Sequence, residues 1–163
     1  MITSMIEQLY DFTFMVLNRN AEGITHAESL VSPAAGGNCM NWVVGHIVAT
    51  RVPVLKLADA EPVWTEFESA FYRRGSAPVA GDRAAAALPF ERLLTDLAES
   101  QARLKAALGR ITPEALEAPG FSEVPGGLQP RARQLAIFNF HESYHAGQTG
   151  ILRRLLGRPG AIQ

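Results

Sequence analysis

The chain has 163 residues, of which 47% are hydrophobic, and it carries 15 basic and 16 acidic side chains. This length and composition suffice for one continuous core, so we expect a single domain over residues 1–163. The charges nearly cancel and form no basic block, which argues against a nucleic-acid partner because a phosphate backbone requires a positive surface.

The first two predicted helices differ in how clearly they end. Apolar residues recur at helical spacing over residues 2–24 and predict helix one. A segment rich in Pro and Gly follows and ends at Asn38, a favourable N-cap, so helix two should begin just after Asn38. Pro53 lies within helix two and removes a backbone hydrogen bond, so we expect a kink there or an early end.

Residues 59–88 form a predicted long connection between helices two and three, with a short helix over residues 64–72. Helix three follows Pro89 and extends to Ile111, with the most regular apolar spacing in the chain. The length of the connection would allow the chain to cross from one side of a helical bundle to the other.

Signals for helix starts and stops continue to the end of the chain. Thr112 and Pro113 predict a capped short helical turn, and residues 119–127 a loop rich in Pro and Gly. The last helix should extend from about Pro130 to Leu156. No segment alternates as a half-buried strand would, so the predicted fold is all-α, a four-helix bundle.

Histidines on the second and last helices carry the main functional signal. His141 and His145 are four residues apart and can direct their rings to a common point, on the same side of the helix as neighbouring apolar residues. His46 faces inward on helix two by the same criterion. Three inward imidazoles on facing helices are typical of a metal site in a bundle core. Imidazole ligands favour Zn²⁺ or Ni²⁺ over Mg²⁺ or Ca²⁺, and three protein ligands leave a coordination position open.

Other interpretations of these residues stay open. A single inward histidine is more often a hydrogen-bonded core residue than a ligand, and a bundle without metal is a possible outcome. The string HESYH matches the HExxH pattern of zinc proteases, but no His, Asp or Glu follows His145 to serve as a third downstream ligand.

Two polar residues near the histidines could support a metal site. Glu142 lies roughly 60° around the helix from His145, at the edge of the apolar face. It could be a hydrogen-bonding partner of the site or a solvated carboxylate. Gln148 shares the face of the two histidines. Either residue could also be a fourth ligand, which would close the site and favour a non-catalytic role.

The remaining signals concern location and isolated side chains. Cys39 is the only cysteine, so no internal disulfide is possible, which fits the cytoplasm. The first residues lack a signal-peptide pattern, and no apolar segment reaches the length of a membrane span. Cys39 lies about 10 Å from His46 along helix two, too far to share a ligand, and we expect a buried, inert thiol. His26 is interpreted as a surface or capping group.

Three segments together resemble the DinB-like family of four-helix-bundle proteins, which includes bacterial thiol-dependent transferases. They are residues 41–46, residues 72–76 and residues 141–148, the last followed by Leu152-Arg-Arg-Leu-Leu-Gly157. The resemblance covers almost the whole chain. It implies a metal triad at the three histidines, nickel or zinc as the ion, a low-molecular-weight thiol as co-substrate, and a homodimer.

The hypothesis that follows is a divalent-metal-dependent enzyme, a thiol S-transferase that joins a small thiol to an electrophile. A metal-dependent hydrolase is the alternative from the same site. A non-catalytic bundle that binds a metal or a small ligand is the alternative from a different class.

Overall fold

The computed structural model describes residues 2–121 and 127–162, and within these residues the chain forms eight α-helices and no strand. The all-α class is therefore confirmed, with more helices than the four expected. The interior of the predicted loop, residues 122–126, lies outside the described residues. In chain order the helices are α1 (Ile2–Ala21), α2 (His26–Ser29), α3 (Met40–Leu57), α4 (Glu66–Ser69), α5 (Asp82–Ala85), α6 (Phe90–Leu108), α7 (Pro113–Glu117) and α8 (Arg131–Leu155).

The four long helices correspond to the four predicted from apolar periodicity. Helix α1 packs against α6 and α8, and α3 packs against the same two helices. The ends differ from the predictions by up to three residues, because the apolar stripe of a helix continues into the turn that follows it. Thus α1 ends at Ala21, although the stripe extends to Ile24. None of the described helices is both long and apolar enough to cross a bilayer.

Helix α3 is the central element, and it is buried on nearly all sides. Its exceptions are Thr50, Pro53 and Lys56, which are partly or fully exposed. The helix begins at Met40, with Cys39 rather than Asn38 at the N-cap, and continues through Pro53 to Leu57. Of the two outcomes expected at Pro53, a kink or an early end, the early end is therefore wrong. A helix packed on most of its surface gains enough from burial to offset one missing backbone hydrogen bond.

The connection between α3 and α6 is not one continuous loop, because it contains α4 and α5. Helix α4 begins at a capping box, in which Thr65 and Glu68 satisfy each other's backbone N–H groups. The predicted short helix over residues 64–72 is thus confined to Glu66–Ser69. Tyr72 ties the segment to the core, since its hydroxyl donates to the side chain of Asn41 and accepts from the backbone N–H of Leu88.

Gly45 allows this segment to lie directly on α3. A Cβ at Gly45 would lie 2.4 Å from the Tyr72 ring, a distance that side chains do not tolerate. Glycine therefore sets how closely Tyr72 approaches α3. Because Tyr72 also contacts His46, this approach fixes one wall of the histidine cluster.

Candidate metal centre

The three predicted histidines meet between α3 and α8. His141 Nε2 lies 3.3 Å from His46 Nε2 and 3.1 Å from His145 Nε2. One ligand atom from each ring lies within 4.8 Å of the others, and His46 and His145 are buried while His141 is partly exposed. Within the described residues, this group of side chains could hold a metal ion.

Hydrogen bonds fix the protonation of two of the rings. His46 Nδ1 lies 2.7 Å from the Tyr72 carbonyl oxygen, which can only accept, so the proton is on Nδ1. His145 Nδ1 likewise donates to Gln148 Oε1 at 2.7 Å. In the neutral form, each ring then presents an unprotonated Nε2 to the centre of the cluster. This is the arrangement of a metal-binding histidine, whose other nitrogen donates to an oxygen.

The protein's own protons cannot satisfy all three Nε2 atoms. Among the described residues, His141 Nδ1 is buried and has no hydrogen-bond partner. If His141 carried its proton on Nε2, that proton could serve only one of the two facing nitrogens, and the other would remain an acceptor without a donor. A cation bound to the three Nε2 atoms would remove this conflict. Zinc–nitrogen bonds of 2.0–2.1 Å in a tetrahedral site place neighbouring nitrogens about 3.3 Å apart, close to the distances observed here.

Burial keeps the cluster uncharged at neutral pH. Burial is the largest cause that lowers the pKa of His46, and it also lowers the pKa of His145. The pKa of His141 falls to about 4, first because of burial and then because of repulsion from His145, His46 and Arg74. Neutral imidazoles are the form that binds metal, so little proton competition is expected near pH 7.

The aromatic surroundings restrict the rings further. Trp42 stacks on His46, with ring centroids 4.6 Å apart and planes 13° apart. Tyr144 meets His145 edge to face at 5.4 Å. Both contacts limit ring rotation, so the Nε2 atoms are held toward the shared centre.

A cavity of about 500 Å³ opens beside two of the histidines, His46 and His141. The partly exposed residues Thr50 and Pro53 of α3 form part of its wall. A ligand in this cavity could therefore reach the open side of the cluster.

Glu142 does not lie at a solvated edge, contrary to one of the two interpretations above. Its side chain is 4% exposed and forms an ion pair with Arg51, Nε to Oε2 at 2.6 Å and Nη2 to Oε1 at 2.7 Å. Thr13 donates a further hydrogen bond to Oε1 at 2.9 Å. The carboxylate is thus engaged by the core rather than by the histidines. Helix α8 is buried over a wider arc than the histidine stripe indicated, and Glu142 falls inside that arc.

Sequence analysis missed Arg51, the partner of Glu142. Burying an arginine costs free energy unless it is paired. The position of Arg51 within the apolar run of α3 was therefore a sequence signal for a buried acidic partner. Its guanidinium also donates to Gln101 and lies 4.7 Å from the centre of the Tyr10 ring.

The other two candidates lie outside the cluster. Cys39 is buried and free, and burial raises the pKa of its thiol. His26 is exposed, and its Nδ1 accepts the backbone N–H of Phe90, the first residue of α6. The capping interpretation of His26 is therefore confirmed, at α6 rather than at α1.

The fold and the site together define an all-α protein with a buried three-histidine group suited to a metal ion. A family model described as the DinB superfamily matches residues 9–149. The chain belongs to the DinB superfamily. Its fold is similar to that in a crystal structure of a conserved protein from Enterococcus faecalis, with a TM-score of 0.72 and 20% identity over 96% of this chain and 98% of the other. No curated protein matches the chain.

Proposed function

We propose that this protein is a divalent-metal-dependent enzyme whose ion, nickel or zinc, is held by the Nε2 atoms of His46, His141 and His145. The observation that carries the proposal is the meeting of three Nε2 atoms, two of which have their tautomer fixed by Tyr72 and Gln148. A histidine that served only to pack the core would not need its Nε2 directed at the Nε2 atoms of two other histidines.

We further propose transfer of a low-molecular-weight thiol to an electrophile. An ion with an open coordination position lowers the pKa of a coordinated thiol and so favours the nucleophilic thiolate. The chain's residues hold the three imidazoles neutral and oriented, and the adjacent cavity admits a small molecule to His46 and His141. A reducing cytoplasm, the location proposed here, maintains such thiols in the reduced form. Membership of the DinB superfamily supports this choice of reaction class.

Turnover assays with a panel of small thiols and an alkylating electrophile test this function. We expect metal-dependent loss of thiol that stops on chelation and in His141→Ala. The matched control is His26→Ala, which removes the exposed histidine outside the cluster. Activity that survives both chelation and His141→Ala would rule the scheme out. Ester turnover without any thiol would instead assign the site to hydrolysis.

We also propose a homodimer formed through an apolar surface on α1 and α8, called here the α1–α8 face. These adjacent helices leave large apolar side chains exposed, which is unusual for a monomer. The residues of the α1–α8 face are Ile2, Met5, Leu9, Phe12, Met15, Ile151 and Leu155. A second copy of the chain could cover this surface with the same residues.

Sedimentation velocity can test the dimer with two matched charge substitutions. Ile151→Arg places a charge on the α1–α8 face, so we expect the dimer to dissociate. Phe67→Arg changes a side chain that is 90% exposed elsewhere and should leave the dimer intact. A monomeric native protein, or equal behaviour of the two variants, would contradict this arrangement.

A further inference from the structure

The cavity beside the histidines has two chemically distinct walls in addition to its histidine end. One wall is apolar and comes from α3 and α8. Its side chains are Ala49, Pro53, Ile137, Phe138, Phe140 and Tyr144. The other wall carries Arg73 and Arg74, which follow α4 in the connection between α3 and α6.

The apolar wall indicates that the body of a ligand bound in this cavity would be apolar. Phe140 is 77% exposed and Tyr144 is 62% exposed, so both rings have free surface at the cavity. A ligand that covers these rings gains from removing apolar area from water. A volume of about 500 Å³ has room for an aromatic ring or a short aliphatic chain with a polar end.

The two arginines indicate that the other end of the ligand would be negatively charged. Within the described residues, the guanidinium groups of Arg73 and Arg74 form no hydrogen bond and no ion pair, and both residues are exposed. Arg83, by contrast, donates to the Phe71 carbonyl and lies over the Phe71 ring at 4.1 Å. Free guanidinium groups at a cavity wall can bind a carboxylate through paired N–H donors.

One acidic side chain also reaches this cavity, but it is already paired. Glu66 lines the cavity, and its Oε1 lies 2.9 Å from Lys56 Nζ. The charge of Glu66 is thus balanced by Lys56 rather than by the two arginines. Arg73 and Arg74 remain as a net positive wall.

We propose that this cavity binds a small molecule with an apolar body and a carboxylate end, the carboxylate held by Arg73 and Arg74 and the apolar body lying on α8. That such a molecule is the electrophilic substrate rests on the proposed function, whereas its binding does not. The arginine wall then positions the substrate, since the carboxylate is anchored away from the apolar wall and the body extends beside His46 and His141.

A matched pair of probes tests the binding by calorimetry. The probes are 4-phenylbutanoate and its neutral amide, 4-phenylbutanamide. We expect the carboxylate to bind the native protein at least about tenfold more tightly than the amide, since a hydrogen bond to a charged group contributes roughly 1.5 kcal/mol or more. The double variant Arg73→Gln/Arg74→Gln should lose this preference while its melting temperature and metal content stay unchanged. Arg19→Gln, an exposed arginine on α1, is the control and should retain the preference.

The titrations are performed on both chelated and zinc-loaded protein, which separates this inference from the proposed function. Arginine-dependent preference in chelated protein supports the carboxylate site even if the chain is shown to hold no ion. Equal binding of the two probes would overturn the inference, as would a preference that survives in the double variant. A preference seen only with zinc and lost in His141→Ala would also overturn it, because the ion would then be the anion's partner.

Discussion

Two buried polar clusters join the same two helices, α3 and α8, and they are satisfied in different ways. In the first, Arg51 of α3 donates two short hydrogen bonds to Glu142 of α8, and Thr13 donates a further hydrogen bond to one oxygen of that carboxylate. In the second, His46 of α3 meets His141 and His145 of α8, and at most one proton is available to the three Nε2 atoms that face each other when the rings are neutral. The clusters are neighbours in the chain, since Glu142 directly follows His141.

This difference in hydrogen bonding indicates a structural role for the Arg51–Glu142 cluster and a binding role for the histidine cluster. The Arg51–Glu142 cluster pairs opposite charges inside the protein, so removing either partner leaves an uncompensated charge. The histidine cluster brings like groups together, and the three nitrogens could bind an electron-pair acceptor such as a metal ion. Substitutions in the first cluster should therefore change the stability of the protein, and substitutions in the second should change its metal affinity.

The largest effect is expected from Glu142→Ala. It leaves Arg51 charged and unpaired in the core, so the free energy of unfolding should fall by about 3–5 kcal/mol. Urea denaturation measures this loss. Glu66→Ala removes the partner of Lys56 at the surface and should change stability little, because exposed ion pairs are screened by water. Similar losses in the two variants would contradict the structural role of the buried pair.

A double substitution sharpens the same test. Arg51→Met/Glu142→Leu removes both charges and keeps apolar volume, so it should recover most of the stability that Glu142→Ala loses. Metal affinity should be retained, because neither side chain hydrogen-bonds to the histidines. A double variant less stable than Glu142→Ala would show that the other hydrogen bonds of Arg51 and Glu142 contribute more to stability than the pairing of their charges.

The next effect concerns Gln148, which accepts the Nδ1 proton of His145. Gln148→Ala should weaken zinc binding by roughly 10–100-fold, the usual cost of removing the partner of a ligating histidine. Competition with a chelating indicator dye measures the affinity. Gln148→Glu retains an acceptor and should restore binding. An unchanged affinity in Gln148→Ala would mean that Gln148 does not orient the ring.

Gly45→Ala should reduce the stability of the protein, since the added methyl would collide with the Tyr72 ring. We expect a loss of about 1–3 kcal/mol on unfolding, together with weaker zinc binding, because Tyr72 also accepts from His46. Gly147→Ala is the control. No atom lies within 4 Å of its added Cβ, so higher helix propensity should leave stability unchanged or slightly raised. The contact between Gly45 and Tyr72 would be unimportant if both variants behaved alike.

The smallest effect is expected at Cys39, which is the N-cap of α3, the helix that carries His46, and lies outside the histidine cluster. Burial raises the pKa of this thiol, so less thiolate is present at pH 8 in the folded chain than in the unfolded one. A colorimetric thiol reagent should react slowly with the native protein and rapidly in urea. Cys39→Ala should bind zinc as tightly as the native protein. A weaker affinity would place the thiol in the metal centre after all.

Sequence periodicity was enough to predict the four long helices, because each of them buries a recurring apolar stripe. The short helices depended on local signals of unequal strength. Both α2 and α4 begin at a Thr-x-x-Glu capping box that can be read in the sequence, although only α4 was predicted. Helix α5 has no such signal, since it follows Gly81 with a φ of 53° and has no side-chain cap.

The two polar clusters were not equally predictable. Histidines at positions i and i+4 share a helix face whatever the tertiary contacts, so the pairing of His141 with His145 followed from spacing alone. Glu142 lies between them on a different face. Its environment is set by how widely α8 is buried and by Arg51 on another helix, and one sequence does not specify either. Arg73 and Arg74 line the cavity because of the path of the connection after α4, which periodicity does not predict.

X-ray absorption spectroscopy of protein purified without a histidine tag and reconstituted with zinc tests the central claim most directly. We predict one ion per chain, with three imidazole nitrogens at about 2.0–2.1 Å. A substoichiometric ion, or a coordination sphere without histidine, would contradict the account.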